Sequence, residues 1–224
     1  MGRAPRVDLG DHVYHVINRA NARQTLFRTK DDFLHFESLL KAVVDRTSMR
    51  LLAYVVMPNH WHLLVYPRKD GDLSEFMQWL TLTHTQQYHA RKETIGYGHL
   101  YQGRYKSFLV QKDNYLVAAI KYIERNPVRA KLAQKVEQWK WGSGYRRLDG
   151  IPAEREILAD IPVDVPRGYR AWVNEPDKDD DLVAVRISLA KGKPFGTMQW
   201  TERMVEKFGL VVTVRGRGRP KKGT

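Results

Sequence analysis

Two apolar runs separated by only two residues constrain the fold of this 224-residue chain most tightly. Leu51–Met57 (LLAYVVM) and His60–Tyr66 (HWHLLVY) are rich in β-branched and aromatic side chains, and Pro58-Asn59 between them supplies turn chemistry, which predicts a β-hairpin. Upstream, His12–Asn18 (HVYHVIN) predicts another strand. In FLHFESLLKAVV, Phe33, Phe36, Leu40 and Val43 recur at helical spacing, predicting a helix over residues 32–45 capped by Asp31 or Asp32. Downstream, Leu73–Arg91 predicts a second helix and Arg104–Val110 a fourth strand. A third helix then starts at Asp113 and ends near Pro127. The order β-α-β-β-α-β is the split βαβ pattern, so the expected fold is α+β and ferredoxin-like (RRM-like), an antiparallel sheet with helices on one side.

After Trp141 the chain becomes rich in Pro, Asp and Gly (DIPVDVP, NEPDKDDD). The expected organisation is therefore a main domain over residues 1–150, an acidic, Pro-rich connection over 151–181, and a small helical unit with a basic tail over 182–224. Two short helices, 182–190 and 198–208, are expected around KGKPFG. Zero cysteines exclude a disulfide framework, thiolate metal sites and cysteine nucleophiles. The opening MGRAPRVDLGDH lacks the apolar block of a signal peptide, and no apolar stretch approaches the roughly 18 residues of a membrane span. A cytoplasmic, nucleoid-associated chain is the expectation.

Charge narrows the partner. The chain has 38 Lys and Arg against 25 Asp and Glu, a net charge of +13, and residues 101–152 alone hold 11 basic and four acidic side chains. Such a local surplus suggests a polyanion. The tail Gly216-Arg217-Gly218-Arg219-Pro220-Lys221 is similar to an AT-hook, whose arginines, here Arg217 and Arg219, enter narrow minor grooves; a generic basic tail is the plainer alternative.

Two constellations carry chemistry. Strand alternation places His60 and His62 on one face and Trp61 on the other, so two imidazoles point the same way and can share a divalent cation if a further ligand comes from elsewhere. Tyr122 and Asn126 are four residues apart and share a helix face. Taken alone, the second pair is better read as a tyrosine packed in a core and an asparagine capping a helix C-terminus, a common arrangement that needs no catalysis.

Four segments, YHVINRANARQTLF, AYVVMPNHWHLLV, GRYKSFLV and YIERNPVRAKL, resemble in order and spacing the single-tyrosine HUH transposases, most of all their REP-associated tyrosine transposase branch. The resemblance spans about residues 12–148. It implies an HUH endonuclease fold and a DNA transposase or strand transferase acting on single-stranded or hairpin DNA, including REP-like palindromes. It also implies Tyr122 as nucleophile, His60 and His62 as ligands of Mg²⁺ or Mn²⁺, and Asn126 where relatives place a third polar ligand. Arg104, Lys106, Lys121, Arg125, Arg129 and Lys131 flank these positions and suit phosphate contacts, or else form a solvated face. Tyr115, one helical heptad earlier, reads as a packing or base-stacking residue. The remaining histidines, 12, 15, 35, 84, 89 and 99, show no ligand spacing and read as structural. Competing functions are a DNA- or RNA-binding module without chemistry and a metal hydrolase that uses the histidine pair and water.

Overall fold

Pro58 and Asn59 turn the chain between β2 (Arg50–Met57) and β3 (His60–Tyr66), and this hairpin anchors the computed structural model, which describes residues 6–96 and 98–215. With β1 (Val13–Arg19) and β4 (Lys106–Val110) it forms a four-stranded sheet in the order β2-β3-β1-β4, every neighbouring pair antiparallel. Helix α1 (Lys30–Thr47) follows β1, α2 (Asp72–Arg91) follows β3, and α3 (Asn114–Glu124) follows β4, completing the ferredoxin-like order. Thr29, not an aspartate, caps α1. Its Oγ1 accepts from the Asp32 N–H while the Asp32 carboxylate accepts from the Thr29 N–H, a reciprocal capping box.

The helices divide between the two sheet faces, which corrects the one-sided reading. Tyr14, Val16, Trp61, Leu63 and Val65 meet Phe36, Leu40, Phe76 and Leu80 of α1 and α2. On the opposite face Val13, Leu64, Phe108 and Val110 meet Leu116, Ala119, Ile120 and Ile123 of α3. The reason lies in β2 and β3, whose apolar runs are nearly continuous rather than alternating, as sheets covered on both faces require. A register shift between Leu51 and Ala53 turns Leu52 and Ala53 together toward the second face.

Residues 126–215 pack onto this sheet as α4 (Asn126–Arg129), α5 (Ser143–Leu148), α6 (Pro152–Arg155), α7 (Tyr169–Asn174), α8 (Asp179–Lys191) and α9 (Met198–Lys207). Residues 151–181, expected as an extended or peripheral connection, are tied down: the Ala159 N–H donates to the Leu51 carbonyl (2.9 Å) and the Tyr169 hydroxyl to Glu124 (2.7 Å). Residues 182–215, expected as a separate unit, share both cores, with Val185 and Phe195 in the second and Val205 and Leu210 in the first. Residues after α4 cover both sheet edges. The Trp141 carbonyl accepts from the Val56 N–H on β2 (2.8 Å), and the Phe195 N–H donates to the Leu109 carbonyl on β4 (2.8 Å). Among the described residues no helix is long and apolar enough to cross a membrane. The AT-hook-like stretch, with Arg217 and Arg219, lies outside the described residues.

Candidate functional site

Strand β3 carries His60 and His62 on the face that α3 covers, while Trp61 is buried behind them and its Nε1–H donates to the Tyr101 hydroxyl (3.0 Å). The His60 and His62 ring centroids lie 5.2 Å apart. In each ring Nδ1 is occupied: Asn59 Oδ1 accepts from His60 Nδ1 (2.6 Å), and His62 Nδ1 lies 2.8 Å from Nε2 of His15 on the adjacent strand β1. Nε2 is thereby the nitrogen each imidazole retains for a ligand.

Burial sets their charge. It lowers the His60 pKa to about 4, with the Arg19 charge adding, and pushes His62 well below the ordinary imidazole range, with the neighbouring histidines adding. His15 falls to about 3 for the same reason, Arg129 contributing. All three rings are therefore neutral at pH 7, the form in which imidazole ligates metals.

Tyr122 projects from the last turn of α3 with its ring centroid 6.1 Å from that of His62 and 6.0 Å from that of His15. The helix ends at Glu124, and Asn126 opens the short turn α4 with Pro127 at its start, so the expected single helix through Asn126 is interrupted at Arg125. The Arg129 guanidinium lies 4.1 Å from the Tyr122 ring centroid and donates to the Tyr122 carbonyl. Asp177, from the acidic stretch before α8, pairs with both Arg129 (3.1 Å) and Arg125 (2.9 Å).

An open cleft of about 650 Å³ joins these elements, lined by His60, His62, Tyr122, Asn126, Arg104 and Lys106, together with Ile17, Asn18, Arg19, Gln102 and Gly103, and by Arg186, Leu189 and Ala190 of α8. The other basic candidates are not part of its wall. Arg125 turns inward, held by Asp177 and the carbonyls of Val173 and Asn174, because a guanidinium buried this deeply needs its donors satisfied within the chain. Lys121 lies over the Trp172 ring (5.0 Å), and Lys131 is exposed on another surface beside Val128 and Leu132. Tyr115 packs edge-on against Phe195 (5.0 Å).

Sequence reasoning did not place Arg19 and Arg186 at the cleft wall or His15 beside His62. Arg19 pairs with His60 in the β1–β3 register and has a buried Nε without a partner. Neither it nor His15 carries a local spacing signal, since both depend on which strands lie side by side. Arg186 needed the docking of α8.

The donor set fits a small divalent cation: two neutral imidazoles and a carboxamide in one open cleft, with room for water and phosphate oxygens. Among the described residues no cluster of three or more His, Cys, Asp and Glu side chains is placed to hold a metal.

Comparison with known proteins adds to this geometry. The family model described as "Transposase IS200 like" matches residues 9–126. A Haemophilus influenzae protein named as a REP-associated tyrosine transposase is 24% identical over 131 residues, covering 53% of this chain and 74% of its own length. The structure of a REP-associated tyrosine transposase bound to a REP hairpin superposes with a TM-score of 0.55 at 18% identity, over 75% of this chain and 94% of that one. The structural likeness establishes a shared fold.

Proposed function

Since the chain belongs to the IS200-like transposase family, we propose that it cleaves and rejoins single-stranded or hairpin DNA through a transient covalent bond to Tyr122. One observation carries this reading: the phenol, two neutral imidazoles with free Nε2 atoms, and the basic side chains of Arg19, Arg104, Lys106 and Arg186 line one cleft. The REP hairpin held by the structural relative supports hairpins with REP-like palindromes as the first substrates to try.

A tyrosine hydroxyl, with an ordinary pKa near 10, is a weak nucleophile at neutral pH and needs a polarised phosphate and a place for its proton. Arg104, Lys106 and Arg186 bind the backbone and hold the strand with one phosphorus in line with Tyr122 Oη. His60 and His62, with Asn126 completing the protein's share, would hold Mg²⁺ or Mn²⁺, which when bound supplies Lewis-acid polarisation of a non-bridging phosphate oxygen. Tyr122 Oη attacks as its proton passes to water in the open cleft, the phosphorus–O3′ bond breaks, and the departing O3′ takes a proton from water, so no net proton is released. The products are a 5′-phosphotyrosine and a free 3′-OH. One phosphoester replaces another, so no nucleotide hydrolysis is required, and attack by a different 3′-OH on the phosphotyrosine rejoins the strand and regenerates the phenol. Arg129 fixes the ring of Tyr122 by stacking on it and bonding to its carbonyl.

The experiment is incubation with 3′-labelled single-stranded and hairpin oligonucleotides, with Mn²⁺ or EDTA, followed by a denaturing gel. Label migrating with the protein only in Mn²⁺ supports the reading. DNA bound without any cleavage would favour a non-catalytic binding module, and cleavage without an adduct would favour a hydrolase.

A further inference from the structure

Resting on the metal reading of His60 and His62, we propose that His15 is a positioning residue that fixes the tautomer in which His62 can take a cation. His15 is completely buried on β1, opposite Leu64 in register, and its Nε2 lies 2.8 Å from His62 Nδ1. A hydrogen bond between two neutral imidazoles holds one proton, and its position decides what the cleft meets. With the proton on His62 Nδ1, His15 Nε2 accepts and His62 Nε2 is a bare lone pair. With the proton on His15 Nε2, the His62 proton sits on Nε2 and closes that nitrogen to a cation. Occupation of His62 Nε2 by a metal therefore requires His15 to act as acceptor. The arrangement repeats at the neighbouring ligand, where Asn59 Oδ1 accepts from His60 Nδ1.

The second observation is the nitrogen left over. His15 Nδ1 is buried with no hydrogen-bond partner, and the ring lies against Phe108, centroids 4.9 Å apart. An unpartnered buried nitrogen opposes folding, and a smaller apolar side chain beside Phe108 would remove it; what it could not replace is the partner that His15 Nε2 gives to His62 Nδ1. A histidine kept only for packing would be a poor choice at this position. A histidine kept to accept a proton from a ligand imidazole is a good one.

The test uses the full chain without DNA and titrates Mn²⁺, following the loss of the free-ion paramagnetic resonance signal. Wild type should bind an ion that His62→Ala loses. His15→Leu should weaken binding by about 10- to 100-fold, the usual range for loss of an outer-shell partner. His15→Gln, whose amide oxygen can accept from Nδ1–H, should recover most of the affinity. The melting temperature of His15→Leu should stay close to that of wild type, because the change removes one orphaned nitrogen, His15 Nδ1, and leaves another, His62 Nδ1, without its partner; raising Mn²⁺ should restore its adduct formation with labelled oligonucleotide. Should the leucine variant fail to fold, His15→Phe carries the same comparison. Wild-type affinity in the apolar variant overturns the proposal, as does a Gln variant no better than Leu. Failure of the underlying metal reading is seen separately, as wild type and His62→Ala binding Mn²⁺ alike, and would overturn both.

Discussion

The two faces of the sheet treat buried histidines differently. Under α1 and α2, His84 is closed in: the Tyr101 hydroxyl joins its Nδ1 (2.6 Å) to the indole of Trp61 (3.0 Å), and Phe27 stacks on the ring at 5.6 Å. Under α3 and α8, His60 and His62 are held by one nitrogen each at the wall of an open cleft. Burial lowers the pKa on both sides, to about 3 for His84 and about 4 for His60. A depressed imidazole pKa therefore does not mark a site by itself. What marks it is a nitrogen left free beside a nucleophile and basic side chains.

The largest effect that could break this contrast is on chemistry. His60→Ala should lower metal-dependent adduct formation more than about 100-fold while changing stability little, because His60 is half-buried and its partner Asn59 can turn to solvent. His84→Ala should do the reverse, leaving the adduct intact and costing about 1–3 kcal/mol, because the Tyr101 hydroxyl loses its buried partner. Denaturant titrations beside gel assays of both variants measure this; loss of chemistry in His84→Ala with full stability would erase the contrast.

A second pair sharpens it within the open face. Arg125→Ala leaves the Val173 and Asn174 carbonyls without their donor and Asp177 with Arg129 alone, and should destabilise the fold by about 1–3 kcal/mol. Arg104→Ala and Lys106→Ala should leave stability unchanged and weaken single-strand binding, each flattening the salt slope by about 0.7. Urea melts and binding isotherms at several salt concentrations distinguish the two outcomes. A flattened slope for Arg125→Ala at unchanged stability would return that residue to the DNA surface.

The smallest expected effect is the most specific. Each folded-state pKa here lies below the unfolded value near 6.5, so the unfolded chain binds more protons in between. Stability is full above about pH 6.5 and declines as pH falls toward about 3 to 4, by up to about 1.4 kcal/mol per pH unit for each group. Metal affinity behaves otherwise. The folded imidazoles stay neutral from pH 7 to pH 5, so Mn²⁺ binding to the native protein should change less than about threefold over that range, whereas each ordinary imidazole would lose about 25-fold. Calorimetric titration at the two pH values decides it, and a steep fall by pH 5 would mean exposed, ordinary histidines.

Much of the fold was legible because its cues are local: the hairpin around Pro58-Asn59, the 3.6-residue period from Phe33 to Val43, and the Asp113 cap, whose carboxylate accepts from the Tyr115 N–H. Alternation also put His60 and His62 together. What local pattern could not carry was pairing between distant segments. His15 meets His62 only because β1 lies beside β3, and Arg125 and Arg129 turn to Asp177 only because the acidic stretch, solvated by composition, docks on α3 and α4. The coverage of both sheet faces was present in the unbroken apolar runs of β2 and β3, a signal outweighed by the simpler one-layer pattern.

Tyr122 as the nucleophile of this cleft can be checked by trapping the covalent complex on a hairpin oligonucleotide with Mn²⁺, digesting it with protease and mapping the modified peptide by mass spectrometry. A 5′-phosphate ester is expected on Tyr122, absent in Tyr122→Phe and retained in Tyr115→Phe, since the Tyr115 ring packs against Phe195. A nucleotide linked to Tyr115 or Tyr101, or strand cleavage that persists in Tyr122→Phe with no linked peptide, would contradict it.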